Sequence, residues 1–419
     1  MSTKPKAATG KLGILTPGMG AVATTLYAGV FAARRGLSST VGAVSQLGRI
    51  EFSEDNKPLV KDALPITSLD DIVFGAWDCF DLDAFDAAVH ANVLSAKDLL
   101  PLEKEMRSIK PMPAYIDRDW VKNLEGTGHV KNVKTKWDAA QALIKDIETF
   151  KKDNNCERVV MVWTASTEAY RELTDSHENV KNFEAGLKAN DESISPSQVY
   201  AYAALSARIP FANGTPCLSA DNPAMHELAM ENKVPVCGKD FKTGQTLLKT
   251  ILAPGLKHRM LGMSGWFSTN ILGNRDGEVL NDPESFKSKE ISKRAVLESI
   301  LEPERNKELY GDLYHKICIN YYPPRGDDKE AWDNIDIFGW MNYPMQIKVD
   351  FLCKDSILAA PLALDLALFM DLAHRAEARG TQEWLNFYFK APMTDDDRPV
   401  NDLFKQHDEM MDTLKSWAK

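Results

Sequence analysis

Apolar and aromatic residues fill five consecutive positions in Val159-Val-Met-Val-Trp-Thr164, the pattern of a strand buried on both faces. Leu12-Gly-Ile-Leu-Thr16 and Ile72-Val-Phe-Gly-Ala-Trp77 read the same way, the latter with Asp78 at its C-terminal end. Pro210-Phe-Ala-Asn-Gly214 reads as a short strand closing in a turn, and residues 41–44 as one more strand. Small and apolar residues over 21–35 suit a helix packed on a sheet. Further helices are predicted from about Asp83, over 99–109 and over 197–207, and Ala165-Ser-Thr-Glu168 reads as a helix start. Alternating buried strands and helices predict an α/β fold built on a doubly wound parallel sheet.

Near residue 250 the pattern changes. Residues 260–271 are sparsely charged and contain glycine, and 316–322 are rich in β-branched and aromatic residues. Met345, Ile347, Val349 and Phe351 then alternate with Gln346, Lys348 and Asp350, which predicts a strand with one buried face. Residues 250–356 are therefore expected to form a second, more antiparallel unit inserted between 1–249 and 357–419. The most apolar run, 357–370, contains Pro361 and Asp365 and falls short of the roughly 20 residues a membrane span needs, so a buried helix is predicted.

Composition narrows the picture. A net charge of −10 argues against nucleic acid as the main partner, and any phosphate ligand must be met by locally gathered lysines. The six cysteines form no CxxC pair, and the eight histidines show no metal-binding spacing. With no signal peptide legible at the N-terminus and no membrane segment, a cytoplasmic location is expected.

Gly18, Gly20 and Ala23 fit a dinucleotide-binding strand–turn–helix, in which glycines admit a pyrophosphate to a helix N-terminus. The acidic residue that would hold a ribose is not obvious after Val44; Ser45 or Gln46, or Asp78 at the other strand end, are candidates. In Asp240-Phe-Lys-Thr-Gly-Gln-Thr246, Lys242, Thr243 and Gly244 suggest a phosphate cradle, with a solvated turn as the competing reading. Gly326-Asp-Asp-Lys329 reads as a loop behind a strand, and Asp355 or Ser356 as a helix cap. Lys390, among Trp384, Phe387, Tyr388 and Phe389, is either partly desolvated and fit for proton transfer or snorkelling to the surface. Asn274-Arg-Asp-Gly-Glu precedes a crowd of lysines at 287, 289 and 293, of which Lys289 and Lys293 share one helical face.

Taken together and in order, these segments resemble the myo-inositol-1-phosphate synthase family over nearly the whole chain. The matching stretches include Trp163-Thr-Ala-Ser-Thr-Glu168, Ser195-Pro-Ser197, Asn213-Gly-Thr-Pro216, Asp240 to Thr246, Asn274-Arg-Asp-Gly277, Ser288-Lys-Glu-Ile-Ser-Lys293, Gly326 to Lys329, Asp355-Ser-Ile-Leu-Ala-Ala-Pro361 and Lys390-Ala-Pro392.

The resemblance implies a Rossmann-type domain with an inserted catalytic and tetramerisation domain. It also implies a homotetramer that isomerises glucose 6-phosphate to an inositol phosphate with a recycled NAD. Lys293, Lys329, Asn274 and Thr243 would hold the phosphate. Lys289 and Lys390 would stabilise oxyanions and move protons, with Asp276, Asp240 and Asp355 orienting them or the cofactor. The cofactor set it implies is Gly18, Gly20, Ala21, Asp78, Thr164, Ala165, Asn213, Gly214, Asp240, Asp327 and Asp355. The glycine loop is poorer in glycine and asparagine than in eukaryotic relatives, and Arg275 replaces a second asparagine. A divalent or monovalent cation requirement stays open, with Asp276 and Glu278 as possible ligands.

Overall fold

The computed structural model describes residues 3–122, 124, 126, 128–273, 296–395 and 399–418. In chain order, β1 (Lys11–Pro17), β2 (Ile72–Asp78), β3 (Met112–Pro113), β4 (Cys156–Trp163), β5 (Phe211–Asn213) and β6 (Pro235–Gly238) belong to one sheet. A second sheet is made by β7 (Gly262–Leu272), β8 (Tyr314–Tyr321), β9 (Asp328–Phe338) and β10 (Pro344–Lys354), after which β11 (Gly380–Thr381) rejoins the first. The helices that matter for the site are α1 (Ala21–Arg34), α2 (Lys136–Asp153), α3 (Pro196–Ser206), α4 (Gly244–His258), α5 (Asp355–Arg375) and α6 (Leu403–Ala418).

The first sheet has the order β11-β6-β5-β4-β1-β2-β3, and its neighbouring strands pair in parallel. Strand order reverses between β1 and β4, which opens a crevice beyond their C-terminal ends. Side-chain alternation explains the two covering layers. Leu12, Ile14, Val160 and Val162 face α1 and α5, whereas Leu15, Val159, Met161 and Trp163 face α2 and α3. Each such fully buried aliphatic side chain contributes about 1.5–3 kcal/mol. The doubly wound sheet inferred from the sequence is therefore present.

The helix α5 is long and apolar enough to cross a membrane (mean hydropathy 1.8), but 78% of that stretch is buried inside the molecule. Within it lies Asp365, wholly buried. Its carboxylate accepts the N–H groups of Val44 (2.6 Å) and Ser45 (2.9 Å) and the hydroxyl of Tyr388 (3.0 Å). Burial pushes the Asp365 carboxyl up to about 6, while these bonds pull it back down. They also overturn one expectation: residues 41–44 make no strand, because the backbone turns there into the short helix Val44–Leu47. Residues 165–168 are likewise not a helix start but an irregular loop. The helix expected over 99–109 is broken into Leu100–Leu102 and Glu103–Arg107, with Pro101 in the first piece.

The second sheet runs β10-β9-β7-β8, with antiparallel β10/β9 and β9/β7 pairs and a parallel β7/β8 pair. On β9, Lys329, Ala331, Asp333, Ile335 and Ile337 face inward toward α4, and Ile347 and Val349 of β10 join them. The anticipated alternation on β10 holds at Ile347, Val349 and Phe351, which are half-buried, whereas Met345 near the strand start is exposed. Helix α4 spans residue 250, where the second unit was expected to begin, and its N-cap, Thr243, lines the crevice of the first sheet.

Candidate active site

The crevice is floored by the turn between β1 and α1. Gly18 sits at φ +84°, and a Cβ there would lie 2.5 Å from Ala165 Cα, so only glycine fits. Gly20 is the N-cap of α1; no side chain caps this helix, and its first turn carries no acidic residue. Its leading amides and dipole are therefore suited to an anion from outside the chain. Thr164 closes the other side, donating from its hydroxyl to the Gly18 carbonyl (3.0 Å). Asp78, at the end of β2, accepts N–H bonds from Met19 (2.7 Å) and Phe80 (3.0 Å), so it shapes the loop as well as lining the crevice. Ser45 and Gln46, the alternatives for a ribose contact, are buried beside Asp365 and do not line it.

At the far end of the crevice, residues 239–242 pair with 388–391. Lys242 N–H donates to the Tyr388 carbonyl (2.7 Å) and Lys390 N–H to the Asp240 carbonyl (2.7 Å). This short ladder brings the Lys390 ammonium to 3.3 Å from Asp240 Oδ1, with both side chains about 5% exposed. Of the two readings of Lys390, desolvation is the one realised. A second pair stands nearby: Lys329 Nζ lies 3.2 Å from Asp355 Oδ2. Asp355 is the first residue of α5 rather than its cap, which is Lys354, so its carboxylate is directed to Lys329. Gly244, at φ +56°, brings the start of α4 against that pair; a Cβ there would lie 3.6 Å from Lys329 Nζ. Thr243, the N-cap of α4, lines the crevice and makes no capping bond with its side chain.

Gly18, Gly20, Ala21, Asp78, Thr164, Ala165, Gly214, Asp240, Thr243, Asp355 and Lys390 thus share one crevice. Asn213 lies beneath it: its amide donates to the Cys217 carbonyl (2.7 Å) and its oxygen accepts Thr215 N–H (3.0 Å), which fixes the turn at Gly214. Asp327 stands behind Ser356, whose hydroxyl donates to it (3.2 Å). Lys242 departs from the phosphate cradle. Its buried ammonium bonds Gln406 of α6, and burial lowers its pKa to about 7. Asn274, Asp276, Glu278, Lys287, Lys289 and Lys293 lie outside the described residues. Among the described residues, no group of three or more His, Cys, Asp or Glu is placed to hold a metal ion.

Among the lining residues that escaped the sequence reading is Tyr200. Tyr200 packs between Trp77 and Trp163, at 5.5 and 5.2 Å between ring centres, and its hydroxyl accepts Tyr115 N–H (3.0 Å). Helix α3 is buried almost all round, so no periodicity marks Tyr200 as different from its neighbours.

A Rossmann-type sheet, an uncapped glycine turn at its switch point and ammonium–carboxylate pairs at the far end of the same crevice define a dinucleotide-dependent α/β enzyme. A family model for NAD-binding proteins described as myo-inositol-1-phosphate synthase matches residues 12–415, and the chain belongs to that family. Inositol-3-phosphate synthase 1 of Bacteroides thetaiotaomicron is 54% identical over 99% of this chain and 97% of its own length. Isozyme 1 of Arabidopsis thaliana inositol-3-phosphate synthase is 31% identical over 96% of this chain and 84% of its own. The crystal structure of inositol-3-phosphate synthase from Caenorhabditis elegans superposes with a TM-score of 0.92 at 26% identity, covering 99% of this chain and 87% of that one.

Proposed function

We propose that this chain converts D-glucose 6-phosphate to 1D-myo-inositol 3-phosphate (1L-myo-inositol 1-phosphate) as an inositol-3-phosphate synthase using NAD. The observation that carries this reading is the pair of ammonium–carboxylate contacts, Lys390–Asp240 and Lys329–Asp355, at the end of a dinucleotide crevice. The isomerisation requires oxidation at C5, loss of a proton from C6, attack of the enolate carbon on the C1 aldehyde, and reduction at C5. When bound, NAD supplies a hydride acceptor that can return the hydride it takes.

The uncapped first turn of α1 and the Gly18–Thr164 contact would hold the pyrophosphate, and Asp78 the adenosine side. Lys390 would stabilise alkoxide or enolate charge and exchange a proton, with Asp240 orienting its ammonium group in a dry site. Lys329, steered by Asp355, would meet the substrate phosphate together with Thr243 and the first-turn amides of α4. Lys289, Lys293, Asn274 and Asp276 keep the roles implied by the family's motifs. We also infer a division at 1–249, 250–356 and 357–419, a homotetramer, and a cytoplasmic location.

The test supplies glucose 6-phosphate with trace NAD and measures inositol phosphate and NADH. Product far exceeding the NAD, with no NADH accumulating, is expected. Stoichiometric NADH would instead identify a sugar-phosphate dehydrogenase, and absence of both products would overturn the proposal.

A further inference from the structure

The crevice wall opposite the glycine turn is residues 164–167, which have no regular structure yet must hold a fixed position. At its start, the wall is tied to the turn itself: Thr164 N–H donates to the Pro17 carbonyl (3.2 Å) and the Thr164 hydroxyl to that of Gly18. At its end stands Glu168, 2% exposed and not among the residues lining the crevice. Its carboxylate accepts the backbone N–H of Ser197 (2.7 Å) and the Ser197 hydroxyl (2.5 Å), in the first turn of α3. Its own N–H points at Cys217 Sγ (3.2 Å). Ser195 caps the same helix through a reciprocal box with Gln198, so this terminus is doubly secured.

Burying a carboxylate is costly unless bonds compensate, and burial raises the pKa of Glu168 while the Ser197 bonds lower it. An apolar residue would fill the space without that cost. What it would not do is fasten the loop to a helix end.

We propose that Glu168 is a positioning residue for the dinucleotide: its carboxylate pins the 164–167 wall to α3 so that the glycine turn closes against it. The distance that matters is at Gly18, where the wall stands so near that a Cβ would lie 2.5 Å from Ala165 Cα. A wall displaced by an ångström widens the pyrophosphate cradle and leaves the reacting end of the crevice, held by residues 239–242 and 388–391, in place. The inference rests on the dinucleotide reading of the crevice.

The experiment is calorimetric titration of NAD into the full chain, alongside turnover at saturating NAD and glucose 6-phosphate. Glu168→Ala is expected to weaken NAD binding about tenfold or more, as misplacement of a binding wall does, with kcat within about threefold of the parent. Glu168→Gln should restore binding. Its carbonyl can accept Ser197 N–H and its amide can donate to Ser197 Oγ, whose proton turns to Ser195 Oγ 3.0 Å away. Ser197→Ala, which keeps the backbone bond, should give a smaller weakening, and it decides the matter if Glu168→Ala does not fold. Unchanged NAD affinity in folded Glu168→Ala, or in Ser197→Ala where Glu168→Ala does not fold, or a loss of kcat with affinity intact, overturns the proposal. A parent chain that fails to bind NAD would instead sink the cofactor reading on which it rests.

Discussion

Lys390 keeps an ammonium group almost wholly buried because Asp240 stands 3.3 Å from it. Removing one partner leaves a buried charge poorly compensated, at a cost of about 3–5 kcal/mol, while removing both can be nearly neutral. Asp240→Asn and Lys390→Met should therefore each lower the unfolding temperature, and the double variant should recover part of that loss. Turnover should not recover: each single variant and the double are expected to lose about a hundredfold or more in kcat. Thermal unfolding and steady-state turnover on the same samples check this, and a double variant regaining activity would contradict the assigned role. The sequence offered Asp240, Lys390, Lys329 and Asp355 as residue types in family motifs. It gave no sign that Lys242, two positions from Asp240, leaves the site for α6, because side-chain direction in a turn is set by what packs on it.

Between elements, Lys242 is the contact that fastens α6 to the 239–242 ladder, through Gln406. Its folded pKa of about 7 lies below the unfolded value of 10.5, and burial is the cause, partly offset by Asp402. Between those two values the unfolded chain binds a proton that the folded chain lacks, so this group makes stability rise with pH across the window. Lys249, lowered by burial to about 8, adds a slope of the same sign above that value. Denaturant unfolding from pH 7 to 10 should thus show a shallower rise in Lys242→Met than in the parent. An equal slope in both would mean that Lys242 is protonated in the fold. Element assignments failed in the sequence where a distant group intervened. Val41 and Val44 suit a strand, but Asp365, more than 300 positions away, takes the N–H groups of Val44 and Ser45 and turns the backbone.

Over the whole molecule, the turn between β9 and β10 exposes Trp340 (91%), Met341 and Tyr343 side by side. Large apolar groups clustered on a surface mark an interaction site, and the proposed homotetramer supplies an occupant. Trp340→Glu with Tyr343→Glu should shift sedimentation from a tetramer toward smaller species; a parent that sediments as a monomer would exclude the assembly. By itself the sequence determined the alternating layers of the first sheet, the glycine turn at the end of β1 and the kinds of residue available for chemistry. Periodicity and backbone freedom are local properties, and each strand or turn carries its own record of them. Only the tertiary structure decided that Lys390 meets Asp240, that Lys329 meets Asp355, and that Lys242 and Asp365 serve the packing of α6 and α5. Those pairings depend on which distant segments approach in space, and a buried charge takes the partner that the fold brings within reach.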